Sequence, residues 1–390
     1  MNLLVFSHKI CWYSPDSPTG VATDGGFAMH MDALASKFDR VTIITALEER
    51  KPTGEVYFTA GNIDFIFLKE WVDPVNATLV KIISPFWFLR YFNAFVLKTL
   101  SADAVHIPVP SHIGFIGMFF SLLFKKKLYV RHCGNWLQPK TRTEKILKWV
   151  MIKTGGGRRV YLATGGSAAP PSEENDSIHW IFSSSIKREE FAPAALAKTP
   201  PERPVLKLIH VARQEVEKGA MEVINALPLL KQDFPQVQLT IVGEGNGMAK
   251  IRACAEATGC LDSIVFKGKC NHDEVLESLT QADIFCYPTR ASEGFPKVVL
   301  EAMSLGLPVV TTPVSILAQL IPSSGAGVLV ENTKPETLYK AIRDIAANPA
   351  VFSRMSEAGR TSAVNYSLES WADAIEKELV QAWKAPLRKN

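Results

Sequence analysis

Residues 284–303 read IFCYPTRASEGFPKVVLEAM. Ile284 to Tyr287 is an apolar run of strand length, and Pro296, with its fixed φ and missing N–H, suits the first turn of a helix. The stretch is therefore a strand, a loop and a helix start. Working outward, the same rhythm recurs at Leu206 to Val211, Gln238 to Val242, Ser263 to Phe266, Pro308 to Thr311 and Gly327 to Val330, with helix-length segments between most of them. The first half repeats it at Leu3 to Phe6, Val41 to Thr45, Ala104 to Ile107, Leu128 to Arg131 and Arg159 to Leu162. Nearly continuous apolar strands belong to a parallel sheet covered on both faces, so the expected fold class is α/β.

At 390 residues the chain exceeds the usual single-domain size. Pro200, Pro201 and Pro204 restrict the backbone within Pro193 to Pro204 and mark the domain junction. The expected domains are 1–199 and 204–367, followed by a segment 368–390 whose helix, near Leu368 to Lys384, could pack on either domain, including back on the N-terminal one. A 47% hydrophobic and 21% charged composition supplies substantial cores and excludes global disorder.

The net charge is only +4, yet Lys125 to Arg159 holds eleven Lys or Arg against the single acid Glu144, leaving the remainder net acidic. That asymmetry fits a basic face turned toward an anionic surface or substrate, or a chance cluster. No DNA- or RNA-reading motif accompanies it, which disfavours nucleic acid as the partner. The six cysteines form no CxxC pair and no signal-peptide pattern is visible, so reduced thiols and a cytoplasmic location are expected. The apolar run Ile113 to Phe124 is shorter than the ~20 residues that span a bilayer. Leu79 to Leu100, with Phe86, Trp87, Phe88, Tyr91, Phe92 and Phe95, suits shallow peripheral insertion at the inner face of an anionic membrane. It equally suits packing against a domain core, with Lys125, Lys126 and Lys127 coating the edge.

Glu293 lies in the loop beside the free amides of the helix start, and Glu301 farther down the helix; together they can combine hydroxyl and anion recognition. The same residues also fit a surface acid next to an ordinary helix N-terminus. At this point the sequence resembles the glycosyltransferase group 4 family, whose signature sets two glutamates eight positions apart around Gly-Phe and a helix start. Glu293, Gly294, Phe295, Pro296, Lys297 and Glu301 match it, and Ala302-Met303, Gly306, Pro308, Val309 and Val310 extend the match. The resemblance implies the GT-B architecture, two Rossmann-like domains facing a central cleft.

Ala212-Arg213 through Lys218-Gly219 resembles the family's Gly-Arg and Lys-Gly segment, whose cations hold the donor diphosphate; Ala212 replaces the usual glycine. Ile241-Val242-Gly243-Glu244-Gly245 looks like the next strand and glycine turn, and Phe266 lies in the segment near the base, where core packing also accounts for it. Gly25 and Gly26, after Gly20 and Asp24, resemble the glycine-rich donor loop, a place that a plain tight turn explains as well. His132 sits where related enzymes place a histidine near the reacting sugar, although the family's His-Asp pair is His132-Cys133 here; a structural role stays open.

The remaining histidines, His8, His30, His106, His112, His179, His210 and His272, are dispersed, and neither zinc-like cysteine spacing nor an Asp-x-Asp motif is present. No metal and no cofactor are expected. The implied function is retaining transfer of a glycosyl group from a nucleotide-diphosphate sugar to a hydroxyl of a lipid-linked or polysaccharide acceptor, in envelope or exopolysaccharide biosynthesis. His132, Arg213, Lys218 and Glu293 are the implied catalytic residues. Gly25, Gly26, Gly243, Phe266, Gly294, Phe295, Pro296, Lys297 and Glu301 are the implied donor-binding ones. A nucleotide-sugar epimerase or phosphorylase, or a non-enzymatic carbohydrate-binding protein, is the rival reading.

Overall fold

The computed structural model describes all residues except 50–54, 69–89, 135, 140, 167–168, 192–197, 202–203, 292–294 and 389–390. They fall into two compact units: Met1–Gly165, Ala169–Ser185 and the segment from Leu368 form the first, and Ile186–Ser367 with a short piece at Gly166 forms the second. The changeover at Ser185 and Ile186 lies upstream of the proline-rich stretch where the sequence places the junction. Chain beyond Ile186 is already anchored to the second unit, where the Lys198 ammonium donates to the carbonyl of Ala282 at 2.7 Å. A charged side chain thus holds the connection, which proline and glycine content does not reveal.

The first sheet has nine strands, β1 (Asn2–Tyr13), β2 (Val21–Asp24), β3 (Arg40–Leu47), β4 (Glu55–Tyr57), β5 (Ile63–Leu68), β6 (Ala104–Val109), β7 (Lys127–His132), β8 (Arg159–Thr164) and β9 (Ile178–Ile181). Seven of them run parallel in the order β5-β3-β1-β6-β7-β8-β9, with Leu3 of β1 opposite both Val41 and Ala104. The far end of β1, Cys11–Tyr13, overhangs this array and pairs antiparallel with β2, which in turn pairs with β4. The sequence reading lacks β2, β4, β5 and β9. Short strands such as β2 and β4 owe their geometry to the neighbour they extend rather than to their own composition.

Helices cover both faces. Phe27–Ala35 and Leu368–Trp383 pack on one, where Phe38, Tyr129 and Trp371 are fully buried; His112–Leu123, Arg142–Thr154 and the helical residues 90–101 pack on the other, around Phe6, Phe95 and Leu128. The terminal helix is therefore part of the first unit, tied by Trp383 Nε1 donating to the carbonyl of Arg158 at 2.9 Å. Of the aromatics expected at a membrane, Phe95 is instead in this core, while Phe86, Trp87 and Phe88 lie outside the described residues.

The second sheet is all parallel: β10 (Val205–Val211), β11 (Gln236–Val242), β12 (Ile264–Gly268), β13 (Ile284–Tyr287), β14 (Val309–Thr311) and β15 (Gly327–Leu329), ordered β12-β11-β10-β13-β14-β15. Every strand was legible from its apolar run. The chain winds outward from β10 in one direction, then returns to β13 and winds in the other. Adjacent loops after β10 and β13 therefore diverge at the carboxyl edge, the switch point where open α/β sheets bind ligands.

Candidate functional site

At that edge three loops interlock. Val216–Lys218 forms a short 3-10 turn after β10, and the carbonyl of Glu217 accepts from the backbone N–H of Arg290 (2.7 Å) and the hydroxyl of Thr289 (3.3 Å), both beyond β13. Gly219 follows with φ +97°, and a Cβ there would meet the carbonyl oxygen of Pro288 at 2.5 Å. On the other side, Gln214 is fully buried; its amide donates to the carbonyls of Ala212 (3.0 Å) and Val242 (2.8 Å), and its backbone N–H donates to that of Glu244 (3.0 Å). Gly243 has φ +112°, and a Cβ there would overlap the Ala212 carbonyl at 1.9 Å. Its first task is thus to let the two loops touch.

This scaffold presents Arg213 and Lys218 together on the loop after β10. Arg213 is exposed and has no side-chain partner among the described residues; Lys218 is half-buried. Beneath them, His210 is fully buried with Nδ1 2.9 Å from the carbonyl of Cys286, and burial holds its pKa down at about 4. An exposed guanidinium and a half-buried ammonium on one loop over a neutral floor are equipped to receive an anion.

Farther along the same edge, the helix Lys297–Ser304 begins without a side-chain cap, the N–H of Val299 donates to the carbonyl of Pro296 at 3.0 Å, and Pro296 occupies the capping position one residue before the first turn where the sequence places it. The extended ψ of 94° at Pro296 accounts for that difference. Glu293 and Gly294 lie outside the described residues. Phe295 is buried with its ring 6.0 Å from that of Tyr366, and Phe266 packs partly on the second core with the Arg252 guanidinium 4.2 Å over its ring. Packing accounts for both aromatic positions. Glu301 is 7% exposed, with His272 Nδ1 3.9 Å from its carboxylate.

In the first unit, Gly25 and Gly26 join β2 to the helix Phe27–Ala35, whose N-terminus also lacks a side-chain cap, and Lys9 pairs with the adjoining Asp24. His132 ends β7, fully buried and edge-on to Trp136 with centroids 5.2 Å apart. Neither ring nitrogen has a hydrogen-bond partner of good geometry among the described residues. Burial pulls its pKa down to about 4, opposed by the nearby Gly134 backbone. His132 is therefore a neutral imidazole near pH 7, suited to donating or accepting one hydrogen bond.

Four features here had no signal in the sequence: Gln214 as the buried lace, the Arg290–Glu222 ion pair at 2.5 Å, the His272–Glu301 approach, and the buried Arg131 guanidinium 5.1 Å over the Trp371 ring. Each joins residues distant in the chain, so no local spacing could reveal them. Among the described residues no three His, Cys, Asp or Glu side chains gather as a metal-ligand set, and no helix is long and apolar enough to cross a membrane.

Residues 194–362 match the family model of glycosyl transferases group 1. This match lies within the second unit and covers less than half of the chain. The chain is 33% identical over 185 residues to a glycogen synthase of Mycobacterium tuberculosis, covering 47% of this chain and 41% of that one. It is 28% identical over 176 residues to a GDP-mannose-dependent alpha-(1-6)-phosphatidylinositol monomannoside mannosyltransferase of Mycolicibacterium smegmatis, covering 44% of each. The chain thus spans less than half the length of these curated relatives. The structure of HepE from Anabaena in complex with UDP and glucose superposes with a TM-score of 0.67 at 14% identity, covering 98% of this chain and 100% of that one. The fold, with a parallel-sheet α/β unit in each half, is of the GT-B class.

Proposed function

We propose that this protein transfers a glycosyl group, with retention, from a nucleotide-diphosphate sugar to a hydroxyl of a lipid-linked or polysaccharide acceptor in envelope or exopolysaccharide assembly. The observation that carries the reading is the exposed, partnerless Arg213 beside Lys218 at the switch point of the group 1 domain. The bond between the anomeric carbon and the β-phosphate oxygen breaks, its electron pair leaving on the diphosphate. Arg213 and Lys218 stabilise that growing charge in place, without reorganisation during the step. The acceptor oxygen attacks from the same face, and its proton passes to the departing phosphate oxygen.

Glu293 orients the donor sugar hydroxyls and Glu301 engages the ribose, the roles their places in the motif imply. The positive end of the helix after Pro296, which has no side-chain cap, favours an anion there, as does the charge of Lys297. The loops of Gly25, Gly26 and Gly243 let backbone approach the donor, and Gly294 and Phe295 contribute to donor binding as their places in the motif imply. Neutral His132 orients a hydroxyl of the sugar or acceptor. No metal or cofactor enters this account.

A surface of the first unit favours an acceptor presented on an anionic membrane. Phe115, Phe119 and Leu123 form one exposed stripe along His112–Leu123, with Phe119 57% exposed, and Trp149, 60% exposed, stands with Ile146 on Arg142–Thr154. Exposed Lys125, Arg142 and Lys145 flank them. Lys126 is not part of this basic fringe, because its ammonium donates to the carbonyls of Leu100 (2.6 Å) and Ala102 (2.8 Å). Aromatic residues rimmed by cations fit shallow insertion among anionic headgroups.

The test is to incubate the protein with a panel of nucleotide sugars and a membrane-lipid extract, then identify products by mass spectrometry. A nucleoside diphosphate released together with a glycosylated acceptor supports the reading. Conversion of the nucleotide sugar with its link intact would point to an epimerase, and sugar binding without nucleotide release to a carbohydrate-binding protein.

A further inference from the structure

Glu301 is a carboxylate taken almost completely out of water, which costs several kcal/mol unless nearby groups compensate it. Three groups face it. His272, first residue of the helix His272–Thr280, brings Nδ1 to 3.9 Å, within ion-pair range but beyond a hydrogen bond. Lys297 lies one turn earlier on its own helix, and Glu190, from the turn Arg188–Glu190, adds a like charge. Burial pushes the Glu301 carboxyl up, His272 and Lys297 pull it down, and Glu190 adds to the upward push.

The imidazole is held where it is by a local device. Asn271 accepts from the N–H of Glu274 at 2.9 Å while Glu274 accepts from the N–H of Asn271 at 2.7 Å, a reciprocal cap that pins the start of the helix. Nε2 of His272 is buried and without a partner among the described residues, so the ring carries hydrogen-bonding capacity that the fold does not use. The segment leading to it leaves β12 at Gly268, whose carbonyl accepts from Gly243 N–H at 2.7 Å. His272 therefore stands at the same carboxyl edge as the diphosphate-facing loop.

We propose that His272 is a positioning residue that sets the charge and orientation of Glu301, and thereby governs how strongly the protein distinguishes a nucleoside diphosphate with ribose hydroxyls from one without them. This rests on the ribose-facing role given to Glu301 above. A buried carboxylate held by a neighbouring imidazole can accept from a ribose hydroxyl with defined geometry. Without the imidazole it protonates or rotates, and the discrimination fades while contacts to the diphosphate persist. His272 touches no reacting atom in this account.

The experiment measures the dissociation constants of UDP, GDP and ADP and of their 2′,3′-dideoxy forms, taking the base that binds best, for the wild type and for H272A, H272F, H272N and E301Q. Loss of a hydrogen bond to a charged group corresponds to roughly a tenfold or larger preference for the ribo form in the wild type. H272A and H272F, two variants of different volume so that one misfolded protein does not end the test, are expected to reduce that preference to within about twofold of the E301Q value. H272N, which keeps a polar atom near Nδ1, is expected to recover most of it. An affinity lowered by the same factor for both forms, with the preference unchanged, would mark a merely structural role and overturn the proposal, as would histidine variants that keep both affinity and preference when E301Q has lost the preference. A wild type that binds nucleoside diphosphate with no preference, matched by E301Q, overturns the ribose role itself and the inference with it.

Discussion

A Cβ on Gly219 would stand 2.5 Å from the carbonyl oxygen of Pro288, so these two residues fix how closely the loops after β10 and β13 approach. Gly219 also has φ +97°, which an L side chain seldom adopts. Gly219→Ala is expected to cost about 1–3 kcal/mol from combined strain and clash. Because the obstructing atom is backbone, relief must displace Lys218, and kcat/KM should fall by more than the stability loss explains. Urea denaturation and transfer kinetics on the folded fraction check both.

Arg213 is exposed and makes no side-chain hydrogen bond or ion pair among the described residues, so folding should depend little on it. Arg213→Ala is expected to leave stability within about 0.5 kcal/mol of the wild type and to lower kcat by about 10²–10³. Unchanged kinetics in a folded R213A/K218A double variant would remove the diphosphate assignment.

The ion pair between Arg290 and Glu222 joins the loop after β13 to the helix Ala220–Asp233. Glu222 is 9% exposed whereas Arg290 is about half exposed, so solvent screens one side of the pair. Arg290→Ala is expected to cost about 1–2 kcal/mol, below the cost of a fully buried break. The double variant with Glu222→Gln should be less destabilised than the sum of the two single changes, as thermal melts of the four proteins would reveal.

Three buried histidines make stability depend on acid. His132 and His210 are held down at about 4 and His106 at about 3, desolvation being the first cause in each. Their unfolded forms bind protons below about pH 6.5 while the folded forms do not. Their contribution is complete above pH 6.5 and is lost as the pH falls from there toward 4. His210→Asn should flatten this loss, lowering the difference between urea midpoints at pH 7 and pH 5; an unchanged slope would contradict the burial account.

Trp371 is fully buried between His30, 4.6 Å from it between ring centroids, and the Arg131 guanidinium. Trp371→Ala is expected to cost about 3–5 kcal/mol, the usual range for a large aromatic removed from a core. Since the residue belongs to the terminal helix, the loss should appear in the first unit. Hydrogen exchange would show protection falling in β7 and β8 while β10 and β11 keep theirs.

The strands of the second sheet were legible because each is an apolar run bounded by turn residues, and burial on both faces selects such runs. The short strands β2 and β4 were not, since pairing with the far end of β1 creates β2 and pairing with β2 creates β4. Phe266 and Phe295 entered as donor-binding positions by their place in the motif. Their rings sit against Arg252 and Tyr366, partners separated from them in sequence. The aromatic stretch through Phe95 is amphipathic enough for either a core or a membrane. Phe95 went into the core, whereas Phe92, Leu97 and Leu100 of the same stretch are exposed, as are Phe115, Phe119 and Leu123.

The sequence by itself determined the α/β class, the places of the strands of the second sheet along the chain, and the cations, glutamates and glycines of the group 1 motif. These depend on periodicity and spacing along one chain. The tertiary structure decided that Arg213 is left without a side-chain partner among the described residues, that Glu301 is buried within reach of His272, and that the terminal helix completes the first unit. Those outcomes follow from which distant surfaces exclude water together, and exclusion of water is a property of packed neighbours that no local stretch contains.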